Sequence, residues 1–235
     1  MKAPALFFSH GAPTLAIEPG DYGRALERFG RGLTPRPRGI VVFSGHFEEP
    51  PPARATSAAR PALIYDFGGF PDEMYRIEYP APGDPRLAAD VAGLLQKAGI
   101  PSALDPARGW DHGLWVPLRM AFPGADVPIV EVSQPAGASP RELLAIGAAL
   151  APLRERGVVI AGSGGIVHNL RRVKFGGDGA AVDGWAKEFD DWVAERLAAM
   201  DVESLARYRS DAPHAALAVP TAEHFNPLFV ALGSL

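Results

Sequence analysis

The sequence predicts a single α/β domain over residues 1–235, with a central, largely parallel or mixed sheet and helices on both faces. Three observations carry this prediction. Short apolar runs end in small or polar residues, segments of helical periodicity lie between them, and no linker or internal repeat divides the chain. Short runs rich in Val, Ile and Phe read as buried strands, and strands alternating with helices build βαβ units.

In chain order, strands are expected at residues 4–8, 39–43, 62–65, 127–132 and 157–161. A helix is expected over residues 85–98, with Asp84 as its N-cap and Gly99 as its stop. A second covers residues 139–156. It opens Ser139-Pro140-Arg141-Glu142, a capping-box pattern with proline at the first helical position. A third covers residues 180–200, where Trp185, Phe189, Trp192 and Leu197 form an amphipathic stripe. The 24 prolines and 26 glycines concentrate in loops such as residues 48–53 and 67–85. Long loops in a compact domain tend to carry function.

Composition narrows the function classes. Apolar residues make up 47% of the chain, enough for a sizeable core. There is no cysteine, which excludes a disulfide framework and a thiolate metal site. A net charge of -4 gives no footprint for nucleic acid or an anionic membrane. No stretch approaches the roughly 18–20 apolar residues of a membrane helix. The first apolar run stops at Ser9-His10-Gly11, too early for a signal segment. A cytoplasmic, soluble protein is the expectation.

Placement of the six histidines is the informative feature. His10 follows the first expected strand, His46 the second, and His168 lies shortly after the run at 157–161. Ligands of open parallel sheets bind beyond the carboxyl ends of the strands, so these three side chains are expected in one cleft. His112 and His224 each follow a carboxylate, Asp111 and Glu223, a setting in which a neighbouring acid can tune an imidazole. Neutral imidazole is a common ligand for zinc and iron, so the set points to a metal site. His214 has no such setting.

A series of short motifs then resembles the class III extradiol dioxygenases, in the branch that contains the DOPA 4,5-dioxygenases. They are S-H-G-x-P at 9–13, S-G-H at 44–46, D-F-x-G-F-P at 66–71 and Y-P-A-P-G at 79–83. D-H-G at 111–113, H-N-L at 168–170 and P-T-x-E-H-x-x-P-L at 220–228 complete the series. The resemblance implies that His10, His46 and His224 hold a metal, with Glu223 in reserve as third ligand. It implies proton transfer by His168, which in zinc-bound relatives approaches the metal as a fourth ligand. His112 would stand beside the substrate. The expected reaction is ring opening of a catechol-type, DOPA-like substrate by O2, with Fe(II) for turnover and Zn(II) able to occupy the same site. Two departures accompany the match: Tyr65 stands where relatives often carry histidine, and relatives usually continue beyond Leu235 with a further strand. Were that strand missing from the protein, an exposed sheet edge would be expected.

The chemistry agrees with that assignment. Three protein ligands leave coordination positions open for a diol and dioxygen, and Fe(II) can change oxidation state where Zn(II) cannot. Protons must leave the diol and one must return as the O–O bond breaks, which suits a neutral histidine at 168. His112 would donate or accept a hydrogen bond where charge develops. Gly11, Gly45 and Gly113 would let side chains turn into the cleft, and Phe67, Phe70, Trp110 and Trp115 are candidates for an aromatic wall or for core. A serine hydrolase is one competing reading. Ala161-Gly162-Ser163-Gly164-Gly165 approximates a nucleophile elbow, with Asp183 or Asp211 and His214 or His224 completing a triad. Phosphate-binding glycine motifs are absent. A non-catalytic, metal-binding interaction protein of the same fold is the other.

Overall fold

Most of the apolar runs form strands and the capped segments form helices in the computed structural model, which describes residues 2–173 and 181–235. The strands are β1 (Ala5–Ser9), β2 (Gly39–Glu49), β3 (Ala53–Thr56), β4 (Ser102–Asp105), β5 (Ile129–Pro135) and β6 (Val158–Gly164). The first helices are α1 (Gly20–Gly32), α2 (Pro85–Lys97), α3 (His112–Ala121), α4 (Pro140–Leu150) and α5 (Pro152–Glu155). Then come α6 (Gly184–Ala198), α7 (Val202–Ala206), α8 (Tyr208–Asp211), α9 (Ala215–Ala218) and α10 (Pro227–Gly233). Among the described residues, no helix is long and apolar enough to cross a membrane.

The sheet runs β1-β6-β2-β5-β3-β4. Its first four members are mutually parallel, β3 meets β5 antiparallel through Ala55 and Val132, and β4 lies parallel to β3. The sheet is therefore mixed, with a parallel centre. Alternation along the central strands sorts side chains to two faces. Ile40, Val42, Val159 and Ala161 pack with Leu26 of α1 and Trp115 and Leu118 of α3. Val41, Phe43, Val130 and Ile160 pack with residues of α2, α4, α6 and α10 on the opposite side. Both faces are covered, which is why the central strands read as continuous apolar runs.

Several expectations need correction. Residues 62–65 form no strand; Leu63 makes only an isolated bridge to Trp110. The helix expected over 139–156 is two, α4 and α5, because Pro152 has no N–H to continue the first. The third helix begins at Gly184 rather than at Ala180, which lies outside the described residues. Asp84 does accept from the amides of Arg86 and Leu87, and the Ser139–Glu142 capping box is formed.

Candidate metal centre

The parallel centre of the sheet brings the histidines together. His10 leaves the end of β1, and its amide donates to the carbonyl of Gly164 at the end of β6. The next amide, that of Gly165 just past β6, donates to the carbonyl of His224. A Cβ on Gly164 would lie 1.9 Å from that carbonyl, so only glycine lets the loop carrying His224 seat against the strand end. His46 lies within β2, where the register with β5 shifts between Phe43 and Glu48. Such an irregularity re-aims side chains.

The Nε2 atoms of His10 and His46 are 3.2 Å apart, and those of His46 and His224 are 3.3 Å apart. Each ring has its Nδ1 occupied elsewhere. His224 Nδ1 faces the Glu223 carboxylate at 3.2 Å and His46 Nδ1 faces that of Asp66 at 3.4 Å. A carboxylate only accepts, so both Nδ1 atoms carry the proton. His10 Nδ1 meets Ser163 Oγ at 3.1 Å, and that hydroxyl donates its hydrogen to the carbonyl of Gly113, so it accepts from His10. Gly113 has that carbonyl free because Pro117, four residues on within α3, has no N–H to offer it. The network thus assigns one tautomer to all three imidazoles, with bare Nε2 lone pairs facing one point.

Lone pairs at such separations repel unless a cation lies between them. Three nitrogens bound to an ion at about 2.1 Å would lie about 3.0 Å apart at right angles and about 3.4 Å apart at tetrahedral angles. The observed separations fall inside that interval, so the donor set fits a divalent metal. Electrostatics agree. Burial holds His10 well below its usual pKa, with His46 and His224 adding to the effect. Burial also lowers His46, despite Asp111 and Asp66, and brings His224 to about 4, with His168 and His46 contributing. All three are neutral near pH 7, the state in which imidazole binds metal.

The other two expected residues flank this trio. His112, at the start of α3, has its ring 4.2 Å from that of His46 and 5.7 Å from that of His10. His168 stacks face to face on His224, with centroids 3.5 Å apart, and its Nδ1 is 4.0 Å from Glu223. The convergence expected of His10, His46 and His168 is therefore formed by His10, His46 and His224, with His168 alongside. The Glu223 carboxylate sits at the Nδ1 edge of the His224 ring, away from the convergence point.

One carboxylate was missed as a site residue. Asp66 accepts from the amide and from Nδ1 of His112, both at 2.9 Å, besides facing His46. Burial acts to raise its pKa, but the hydrogen bonds and charge of His112 outweigh this and bring it to about 2. Asp111, adjacent to His112 in sequence, instead binds Ser44 and Arg108. The cue for Asp66 was its place in the D-F-x-G-F-P motif, which by itself names no partner.

Aromatic residues divide cleanly. Trp110 and Trp115 are fully buried in the core, whereas Phe67 and Phe70 are half-buried. Phe67 meets His112 edge-on at 5.7 Å and packs near Tyr65 and Tyr75, so these rings form a wall beside His112. Tyr65 donates to the carbonyl of Ile77. Ser163 is not on an exposed strand–turn–helix elbow. It is fully buried, its hydroxyl serves Gly113, and the histidine it meets is His10. His214 instead pairs with Glu188 on the surface, at 2.9 Å.

The family model described as "Catalytic LigB subunit of aromatic ring-opening dioxygenase" matches residues 4–235. A protein of Portulaca grandiflora named 4,5-DOPA dioxygenase extradiol is 39% identical over 234 residues, covering 98% of this chain and 85% of its own. One of Escherichia coli (strain K12) with the same name is 39% identical over 237 residues, covering 99% and 85%. Among solved structures, the uncharacterized protein JW3007 from Escherichia coli K12 superposes with a TM-score of 0.76. It is 34% identical, covering 91% of this chain and 81% of that one. The matched family spans nearly all of the sequence that builds the three-histidine centre, and the chain belongs to the family of the catalytic LigB subunit of aromatic ring-opening dioxygenase.

Proposed function

We propose that this protein is an extradiol dioxygenase that opens the ring of a catechol-type, DOPA-like substrate with O2, using a divalent metal held by His10, His46 and His224. The observation that carries the reading is that the Nε2 of His46 lies 3.2 Å from that of His10 and 3.3 Å from that of His224, with each ring's other nitrogen facing a partner. The metal, Fe(II) for turnover with Zn(II) able to fill the same ligands, would supply open positions for both reactants and a route for electrons between them.

The chain's own residues then do four things. The Nδ1 partners Ser163, Asp66 and Glu223 hold the three ligands in their metal-binding tautomer. Phe67, Tyr65 and Tyr75 offer a flat apolar wall for an aromatic ring next to His112. Asp66 accepts a hydrogen bond from the Nδ1–H of His112, which leaves the His112 Nε2 to accept a hydrogen bond from the diol. Once protonated, the same atom donates to charge that develops on the substrate. His168, kept neutral by burial, is the second group able to receive a proton from the diol and return it. We assign it the acid–base role, and its stack on His224 supports a further role as an additional ligand to the metal.

The test is anaerobic loading with Fe(II), followed by oxygen uptake and the absorbance of a yellow ring-opened product over a panel of catechols. Uptake with DOPA-like diols and none with the corresponding monophenols is the expected result. Iron-loaded protein that consumes no oxygen with any diol would sink the assignment and favour a metal-binding, non-catalytic role.

A further inference from the structure

Beneath the centre lies a buried carboxylate that the reaction does not use. Glu131, on β5, is fully buried, and neither of its side-chain oxygens has a conventional hydrogen-bond partner. Its neighbours are Arg108, whose Nε is 3.9 Å from Glu131 Oε2 and likewise without a partner, and the carboxylate of Asp111. Asp111 is also buried. It accepts from Ser44 Oγ at 2.7 Å and from Arg108 Nη2 at 3.1 Å.

Charge counting decides the state of this cluster. One guanidinium faces two carboxyl groups, and an ionised, unsolvated second carboxylate would cost several kcal/mol, by the general penalty for buried unpaired charge of about that size. If Glu131 keeps its proton, Arg108 and Asp111 balance each other, and the orphaned oxygen becomes a donor to the adjacent Asp111 carboxylate. Burial and the adjacent Asp111 both push the Glu131 carboxyl well above the usual carboxylate range.

We propose that Glu131 is a positioning residue, a neutral carboxylic acid that donates to Asp111 and completes a three-donor clamp under the metal centre. The inference rests on the site reading above. Asp111 immediately precedes His112 at the start of α3, and Ser44 is two residues from His46 on β2. Arg108 also reaches the carbonyl of His46 at 3.4 Å and lies over the ring of Phe47, 3.7 Å from its centroid. The clamp therefore ties the substrate-side histidine to a ligand-bearing strand. Gln134, also on β5, extends the same floor by donating to the carbonyls of Ser44 and Glu223.

The experiment compares the wild type with Glu131→Gln and Glu131→Leu, all loaded with Zn(II). The infrared difference between wild type and Glu131→Gln at neutral pH should show loss of one carbonyl stretch of a protonated carboxylic acid. An amide N–H can replace the lost O–H donor, so Glu131→Gln should bind Zn(II) as the wild type does. Glu131→Leu cannot, and its Zn(II) affinity should fall about 10- to 100-fold, the usual range for loss of an outer partner. Absence of a protonated-acid band, or equal damage from both substitutions, overturns the proposal. Neither readout requires ring cleavage, so it stands or falls separately from the oxygenase assignment.

Discussion

At the scale of single residues, the centre depends on which nitrogen of each imidazole carries the proton. Asp66 sets this for two rings at once, His46 and His112. Asparagine has the same shape but only one acceptor oxygen, and its amide nitrogen would face one ring as a donor. Asp66→Asn is therefore expected to weaken Zn(II) binding about 10- to 100-fold in a chelator competition while leaving the circular dichroism unchanged. Wild-type affinity in that variant would remove Asp66 from the site. The histidines were legible because six scattered imidazoles in an otherwise ordinary composition invite a question. Asp66, Ser163 and Glu131 were not, because acids and serines are common, and Asp66 meets His112 across 46 residues of chain and Ser163 meets His10 across 153. Adjacency misled at Asp111, which turns from His112 to Ser44, and held at Glu223, which does meet His224.

At the scale of elements, α3 must approach β1 and β2 closely to bring His112 beside the ligands. Gly113 permits this. A Cβ there would lie 2.6 Å from Ser44 Oγ, 2.8 Å from His46 Cδ2 and 2.9 Å from His10 Nδ1. Gly113→Ala should force the two ligands out of register, and metal analysis should find less than half the wild-type content in protein of normal secondary structure. Full metal content would show that the helix can retreat without cost. Among the elements, those with strong local signals were read correctly, such as α2 behind Asp84 and α4 behind its capping box. The short strands β3 and β4 were missed. Ala53–Thr56 and Ser102–Asp105 carry few bulky apolar residues and owe their extension to each other and to β5. The run at 62–65 has the composition of a strand but no neighbour to pair with beyond one bridge.

At the scale of the whole molecule, one ion would join the segments around residues 10, 46 and 224, and so link β1, β2 and the loop before α10. Binding that occurs only in the folded state adds stability by mass action, about 4 kcal/mol when free metal is a thousandfold above its dissociation constant. For a domain of this size that corresponds to a fall in Tm of about 8–16 °C on chelation. A melting temperature indifferent to chelator would argue that no ion bridges these segments. The sequence by itself determined the α/β class, the caps of two helices and the candidate histidines, because periodicity, capping and residue chemistry are local properties. Tertiary structure alone decided which nitrogens face one another, which acid serves which imidazole and which glycines and prolines allow the approach. Those depend on strand order β1-β6-β2-β5 and on a register shift in β2, and contacts between residues so distant in the chain leave no periodic trace in it.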